Sequence, residues 1–186
     1  MIAAILSAGP SLTETWEGRG TYDVVIGVNR AASLFPCDWW VGLDYQAFTK
    51  YPPIGYPRVL TYERSVHRLS KGDHAARWAN HEVVVHNALR QALRRSVGSE
   101  PQGAGMFHFS SAAAFCWAVA EGAKQVDTYG HDMAGEYDCE GERAGGRRDS
   151  RWRRERGVWN KLLDWADTVG VKVTIYQPSP DQKREA

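Results

Sequence analysis

Ile2-Ala3-Ala4-Ile5-Leu6-Ser7-Ala8-Gly9-Pro10-Ser11-Leu12 is the stretch that decides how this chain folds. A short apolar run meets a glycine turn at once, and Ser11-Leu12-Thr13-Glu14 follows. That order predicts a buried strand, a tight turn and the start of a helix. The opening residues carry no basic segment and run straight into the turn, so they read as a first strand and not as a signal peptide.

Working outward, the arrangement repeats. Asp23-Val24-Val25-Ile26-Gly27-Val28-Asn29 is a β-branched run ending in a polar side chain, and Asp38-Trp39-Trp40-Val41-Gly42-Leu43-Asp44 is another. Three short runs that each end in a polar group predict a mostly parallel α/β sheet of Rossmann-like type with its site along one edge. Arg58 to Tyr62 and Glu82 to His86 are further strand candidates, but the order of strands between residues 50 and 105 cannot be read. Gly98 to Gly105 reads as a connection. Ser110-Ser111 opens a small-residue helix that ends at Gly122, and its alanines allow close approach to a sheet. Lys124 to Gly130 is the next strand. Residues 134 to 150 read as an exposed Gly- and Arg-rich loop. Arg151 to Val169 is an amphipathic helix with Trp152, Trp159, Leu162, Leu163 and Ala166 at helical spacing, and Val171 to Tyr176 closes the sheet.

Bulk composition narrows the class. The 186 residues fit one domain (residues 1–178), with a polar tail at 179–186. Hydrophobic residues make up 43% and charged residues 24%, and the net charge is +1, so nothing global calls for nucleic acid or membrane. No run reaches the roughly 18 apolar residues of a membrane span. Cys37, Cys116 and Cys139 are odd in number and widely spaced, which argues against a disulfide framework and predicts a reduced, cytoplasmic protein.

Chemistry is expected at three loops. In the first, Gly9 lets backbone approach a phosphate, and helix-start N–H groups with the Ser11 hydroxyl can bind it. The bland alternative is a strand-to-helix turn with a serine cap. In the second, Phe109-Ser110-Ser111 enters the alanine helix, where serines commonly serve as caps. In the third, Tyr129-Gly130-His131-Asp132 puts two ionisable residues after a strand, a frequent site layout in open α/β sheets.

Together, Ala3 to Leu12, Tyr22 to Asn29 and Ser110 to Asp132 resemble the bacterial lipooligosaccharide sialyltransferases and their relatives. Those relatives include the animal-type sialyltransferases and the archaeal-type 6-hydroxymethylpterin diphosphokinases. The resemblance implies that Gly9, Pro10 and Ser11 face the phosphate or ribose of a nucleotide donor. It implies that Asn29 contacts a cytidine nucleotide, that Asp44 lies near donor and acceptor, and that Ser110 and Ser111 touch the nucleotide. Gly130 and Asp132 would lie near ribose and base. The chain departs from the family at Ala8, where an asparagine is usual, and at Met133, where phosphate-side tyrosines are not reproduced. It departs most at Arg151-Trp152-Arg153-Arg154-Glu155, where the family has its catalytic histidine. The base would then be His131, Asp132, Asp44 or Glu155, and sialic acid is not carried over.

Seven arginines lie at positions 143, 147, 148, 151, 153, 154 and 156. Guanidinium forks bind phosphate in bidentate fashion, so Arg147, Arg148, Arg151 and Arg154 are candidates for clamping a diphosphate or a nucleic-acid backbone. The bland reading is a solvated helix face. The histidines fit no HExxH motif and no structural metal is expected, although Asp44 and Asp132 could hold magnesium on a diphosphate.

The sequence thus predicts a glycosyltransferase-like enzyme using a CMP- or UDP-linked sugar donor. Its size matches the minimal members of the fold that bacteriophages encode, where the acceptor would be a modified DNA base. A magnesium-dependent diphosphokinase and a non-catalytic nucleotide- or nucleic-acid-binding module are the alternatives.

Overall fold

A computed structural model of the chain describes residues 1–55, 57–69, 80–103, 107–133 and 148–177. Its strands are β1 (Ile2–Leu6), β2 (Val24–Val28), β3 (Trp39–Val41), β4 (Arg58–Thr61), β5 (Val83–Val85), β6 (Gln125–Tyr129) and β7 (Lys172–Ile175). The helices are α1 (Leu12–Thr15), α2 (Ala31–Leu34), α3 (Tyr45–Lys50), α4 (Glu63–Leu69), α5 (Asn87–Val97), α6 (Ser110–Ala120) and α7 (Arg148–Thr168).

The described residues form one seven-stranded sheet in the order β5-β4-β3-β2-β1-β6-β7, with every pair parallel. This is the predicted Rossmann-like α/β architecture. The apolar run of β1 lies inside the sheet between β2 and β6, where Ala4 pairs with Val25 on one side and Asp127 on the other.

Residues alternate between the two faces of the sheet. Ala3, Ile5, Ile26, Trp39, Val41, Leu60 and Val126 face a core built by α5, α6 and α7. Ala4, Leu6, Val25, Trp40 and Val59 face the opposite side, where Leu12, Ala31, Ala32 and Phe48 come from the short helices α1 to α3. Both faces are covered, which is why these strands read as unbroken apolar runs instead of alternating ones. In α6 all nine residues from Ser111 to Val119 are buried, and the run of Ala112, Ala113 and Ala114 is what lets this helix lie close to the sheet. Trp117 packs edge-on against Trp39 of β3, with ring centroids 4.8 Å apart.

The structure orders the middle of the chain, where the strand candidates at 58–62 and 82–86 are strands β4 and β5. β4 and β5 extend the sheet outward, so the middle of the chain is sheet edge. Helix α5 was not foreseen; it buries Leu89 and Leu93 and ends at Gly98 in the left-handed conformation (φ 73°). The helix expected after Ser11 is only four residues long, and Ser11 makes no side-chain cap. Helix α7 begins at Arg148, three residues earlier than expected. The expected loop at 134–147, Cys139 and the polar tail lie outside the described residues. Cys37 and Cys116 are free thiols.

Candidate functional site

Every strand of a parallel sheet ends at the same edge, and the polar residues that close each run collect there. Ser7 follows β1, Asn29 follows β2, Leu43 and Asp44 follow β3, Tyr62 follows β4, His86 follows β5, and Gly130-His131-Asp132 follow β6. Strand order reverses between β1 and β6, and in open α/β sheets that switch point opens a crevice for a ligand.

The two loops at the switch point are fastened to each other. Ser7 N–H donates to the Tyr129 carbonyl at 2.8 Å and Gly9 N–H to the Gly130 carbonyl at 2.9 Å, which carries the β1–β6 ladder past the strand ends. Ser11 N–H donates to Asp132 Oδ2 at 3.0 Å. A Cβ on Gly9 would sit 2.3 Å from both Asp132 Oδ2 and the Gly130 carbonyl oxygen. Gly130 has φ +62°, and a Cβ there would lie 2.1 Å from the Ser7 carbonyl oxygen. The first loop was expected to offer its glycine, helix-start N–H groups and the Ser11 hydroxyl to a phosphate. Here the backbone that approaches Gly9 is that of Gly130, and the Ser11 N–H is held by Asp132. The Ser11 side chain is 2% exposed and its hydroxyl has no partner among the described residues. Pro10 is exposed beside it.

His131 is turned inward. It is 3% exposed, its ring centroid lies 4.0 Å from that of Trp159, and its Nδ1 is 3.5 Å from Ser7 Oγ. Burial drives its pKa down to about 3, so the ring is neutral at physiological pH. The expected pair of loop residues is therefore split: Asp132 is half-buried and holds the Ser11 N–H, whereas His131 is buried.

The two serines opening α6 are also split. Ser110 Oγ accepts from the Leu43 N–H at 3.2 Å, tying the helix to the end of β3, while Ser65 Oγ donates to the Leu43 carbonyl at 3.2 Å. Ser111 is sealed inside. Its hydroxyl donates to Glu155 Oε1 at 2.6 Å and accepts from Trp159 Nε1 at 3.1 Å. Glu155 is 6% exposed; burial raises its pKa, opposed by the Ser111 hydroxyl and by Arg151, whose Nε lies 4.0 Å from Oε2. The nucleotide contact expected of Ser111 is thus replaced by a clasp between α6 and α7.

Asn29 takes a left-handed conformation (φ 50°), one that asparagine tolerates better than other non-glycine residues. Its N–H donates to the Val41 carbonyl at 2.9 Å, and its carbonyl accepts from Trp40 Nε1 at 2.9 Å. The half-buried side chain is thereby held at the sheet edge. Asp44 holds the N-cap position of α3 in extended conformation, makes no side-chain capping bond and is exposed.

Of the arginines, Arg151 and Arg154 are exposed near the start of α7, and Arg156 Nη1 donates to the Met133 carbonyl at 2.8 Å. The start of α7 therefore borders the loop after β6. The side chains of Arg147 and Arg148 lie outside the described residues.

Sequence reasoning missed a second group at the same edge. Tyr62 Oη donates to the Phe107 carbonyl at 3.2 Å and lies 3.1 Å from Nδ1 of the exposed His108. His86 stacks edge-on against Tyr62 at 4.8 Å, and burial lowers its pKa to about 4. Beside it opens a pocket of about 220 Å³ lined by Asp44, Tyr45, Gln46, Arg64 and Arg68 among others. Of this group only Asp44 was a candidate in the sequence.

No family model matches the sequence, and no curated protein matches it. Solved structures do. The sialyltransferase CstII from Campylobacter jejuni, in complex with cytidine-5'-monophosphate as a substrate analogue, aligns with 96% of this chain and 80% of its own at 14% identity, with a TM-score of 0.51. CstII in complex with a trisaccharide acceptor and CMP aligns with 94% of this chain and 80% of its own at 12% identity, with a TM-score of 0.49. At such identities the first of these likenesses is one of fold: the chain has a sialyltransferase-like Rossmann arrangement.

Proposed function

We propose that this protein is a glycosyltransferase-like enzyme that binds a nucleotide-activated sugar at the β1–β6 switch point and transfers the sugar to an acceptor hydroxyl. One observation carries this reading: Gly9 to Ser11, Asn29, Asp44, Ser110 and Gly130 to Asp132, scattered over the sequence, all end at one sheet edge. CMP is the favoured nucleotide, by analogy with the fold.

In this reading the acceptor hydroxyl gives its proton to Asp44 as its oxygen bonds to the anomeric carbon. The bond from that carbon to the phosphate oxygen breaks, and the electron pair leaves with the nucleotide. Arg151 and Arg154 offset the charge developing on the leaving phosphate. Asp44 is chosen over the other candidate bases because it is exposed, whereas His131 and Glu155 are sealed and Asp132 holds the Ser11 N–H. Asn29 and the Ser110 hydroxyl orient the nucleotide.

The competing reading is a catalytically silent binding module, and the burial of His131 is what favours it. A thermal-shift screen with CMP, UDP, GDP, ADP and ATP, with and without magnesium, separates the readings. A ligand at 100 times its Kd adds about 2.7 kcal/mol to stability. The transferase reading expects a metal-independent shift with CMP, or with UDP, followed by release of free nucleotide from the matching sugar donor. A shift confined to ATP with magnesium would transfer the assignment to diphosphate transfer. Binding without turnover of any donor would leave the silent module, and no shift at all would remove the nucleotide site.

A further inference from the structure

We infer that the pocket between the end of β3 and α4 is an oxyanion-binding subsite, which makes the acceptor a small molecule carrying a carboxylate or a phosphate. The inference rests on the transferase reading and names its acceptor class.

Arg64 and Arg68 stand four residues apart on α4, so they project from one side of the helix. Like charges at that spacing repel, which disfavours the helix unless something offsets them. Neither has a carboxylate partner within ion-pair distance among the described residues, and both line the same pocket. Each guanidinium is steadied from below by an aromatic face. Arg64 Cζ lies 4.8 Å from the centre of the Tyr62 ring, and Arg68 Cζ lies 5.3 Å from the centre of the Tyr45 ring. Stacking of this kind orients the guanidinium while leaving its N–H fork free for a planar or tetrahedral oxyanion.

Among the described residues of the lining Asp44 is the one carboxylate, so there two positive charges face one negative charge. Asp44 makes no ion pair with either arginine within 4.0 Å, although all three share the wall. An acceptor anchored by its anionic group on Arg64 and Arg68 would bring a neighbouring hydroxyl to Asp44. At about 220 Å³ the space suits one sugar-sized unit and not a run of nucleotides.

Calorimetric titration at low salt with D-glucuronate, glucose 6-phosphate and glucose tests this, using the full chain and its R64Q, R68Q and R95Q variants. Arg95 is an exposed arginine on α5, away from the pocket lining. The two acidic sugars should bind and glucose should not, and their relative affinities tell carboxylate from phosphate. R64Q and R68Q should each weaken binding about tenfold, equivalent to ~1.4 kcal/mol, and R95Q should leave it unchanged. Equal binding of glucose, or indifference to R64Q and R68Q, overturns the subsite. So does binding of a single-stranded oligonucleotide through these arginines when the acidic sugars fail. CMP and UDP titrated into the same proteins separate the two conclusions. Acidic-sugar binding without binding of either nucleotide keeps the subsite and removes the transferase, whereas binding of CMP or UDP without acidic-sugar binding removes the subsite alone.

Discussion

At the scale of single residues, the proposed site rests on glycines that a partner strand requires and on one exposed carboxylate. Gly130→Ala would combine left-handed strain with a Cβ 2.1 Å from backbone that cannot yield easily. It should lose more stability than Gly9→Ala, whose Cβ meets one backbone oxygen and one carboxylate oxygen, and each should lower stability by roughly 1–3 kcal/mol or more. Urea unfolding followed by tryptophan fluorescence measures both. Asp44→Asn should behave oppositely. The side chain is exposed, so folding and the CMP-induced thermal shift should be unchanged. Turnover should fall by about 10²- to 10⁴-fold if this carboxylate is the general base. A variant that keeps full turnover would remove Asp44 from that role. Gly9 and Asp44 were both conspicuous in the sequence, but the sequence could not say that Gly9 answers to Gly130, since those residues meet only when β1 and β6 pair.

At the scale of elements, the buried clasp between α6 and α7 decides where the arginine-bearing helix lies. Ser111 satisfies Glu155 and Trp159 at once. Ser111→Ala would strand the Trp159 N–H and one carboxyl oxygen, and a buried polar group left unpaired costs about 1–3 kcal/mol. The expected result is a loss of that size in chemical denaturation. Ser111→Thr, which keeps the hydroxyl but adds a methyl, should lose stability through overpacking while retaining the two bonds. Because the start of α7 also borders the loop after β6, Ser111→Ala should weaken nucleotide binding as well, measurable as a smaller CMP-induced shift. The helices themselves were legible: the alanine run of α6 and the tryptophan spacing of α7 announce their faces. The clasp was not, because Ser111 and Glu155 are separated by 44 residues and each alone reads as a cap or a surface charge.

At the scale of the whole molecule, pH should reveal what the fold has sealed. His131 and His86 have folded pKa values of about 3 and about 4, below the ordinary 6.5, because burial disfavours the charged ring. Folded-state values that are depressed mean stability that is present above the ordinary value and lost as pH falls toward the folded values. Each histidine should therefore remove about 1.4 kcal/mol per pH unit between the ordinary value and its own folded value. Glu155 acts in the opposite direction: its raised folded pKa favours the neutral acid, a contribution present at low pH and lost as pH rises through that value. Denaturation midpoints from pH 7 down to pH 4 should fall steeply, and His131→Gln should make the decline shallower by about one proton. An unchanged slope in that variant would show that His131 is not buried neutral. The sequence by itself determined the parallel α/β class, the five most apolar or regular strands and the edge at which the polar residues that close the runs collect. It could do so because burial on both faces writes itself as short apolar runs, each closed by a polar residue. Only the tertiary structure decided which polar residues stay accessible at that edge and which are sealed beneath it. It turned His131 and Ser111 inward, gave the Ser11 N–H to Asp132, and drew Arg64, Arg68 and Asp44 around one pocket. Those outcomes depend on strands and helices far apart in the chain, whose pairing no local pattern encodes.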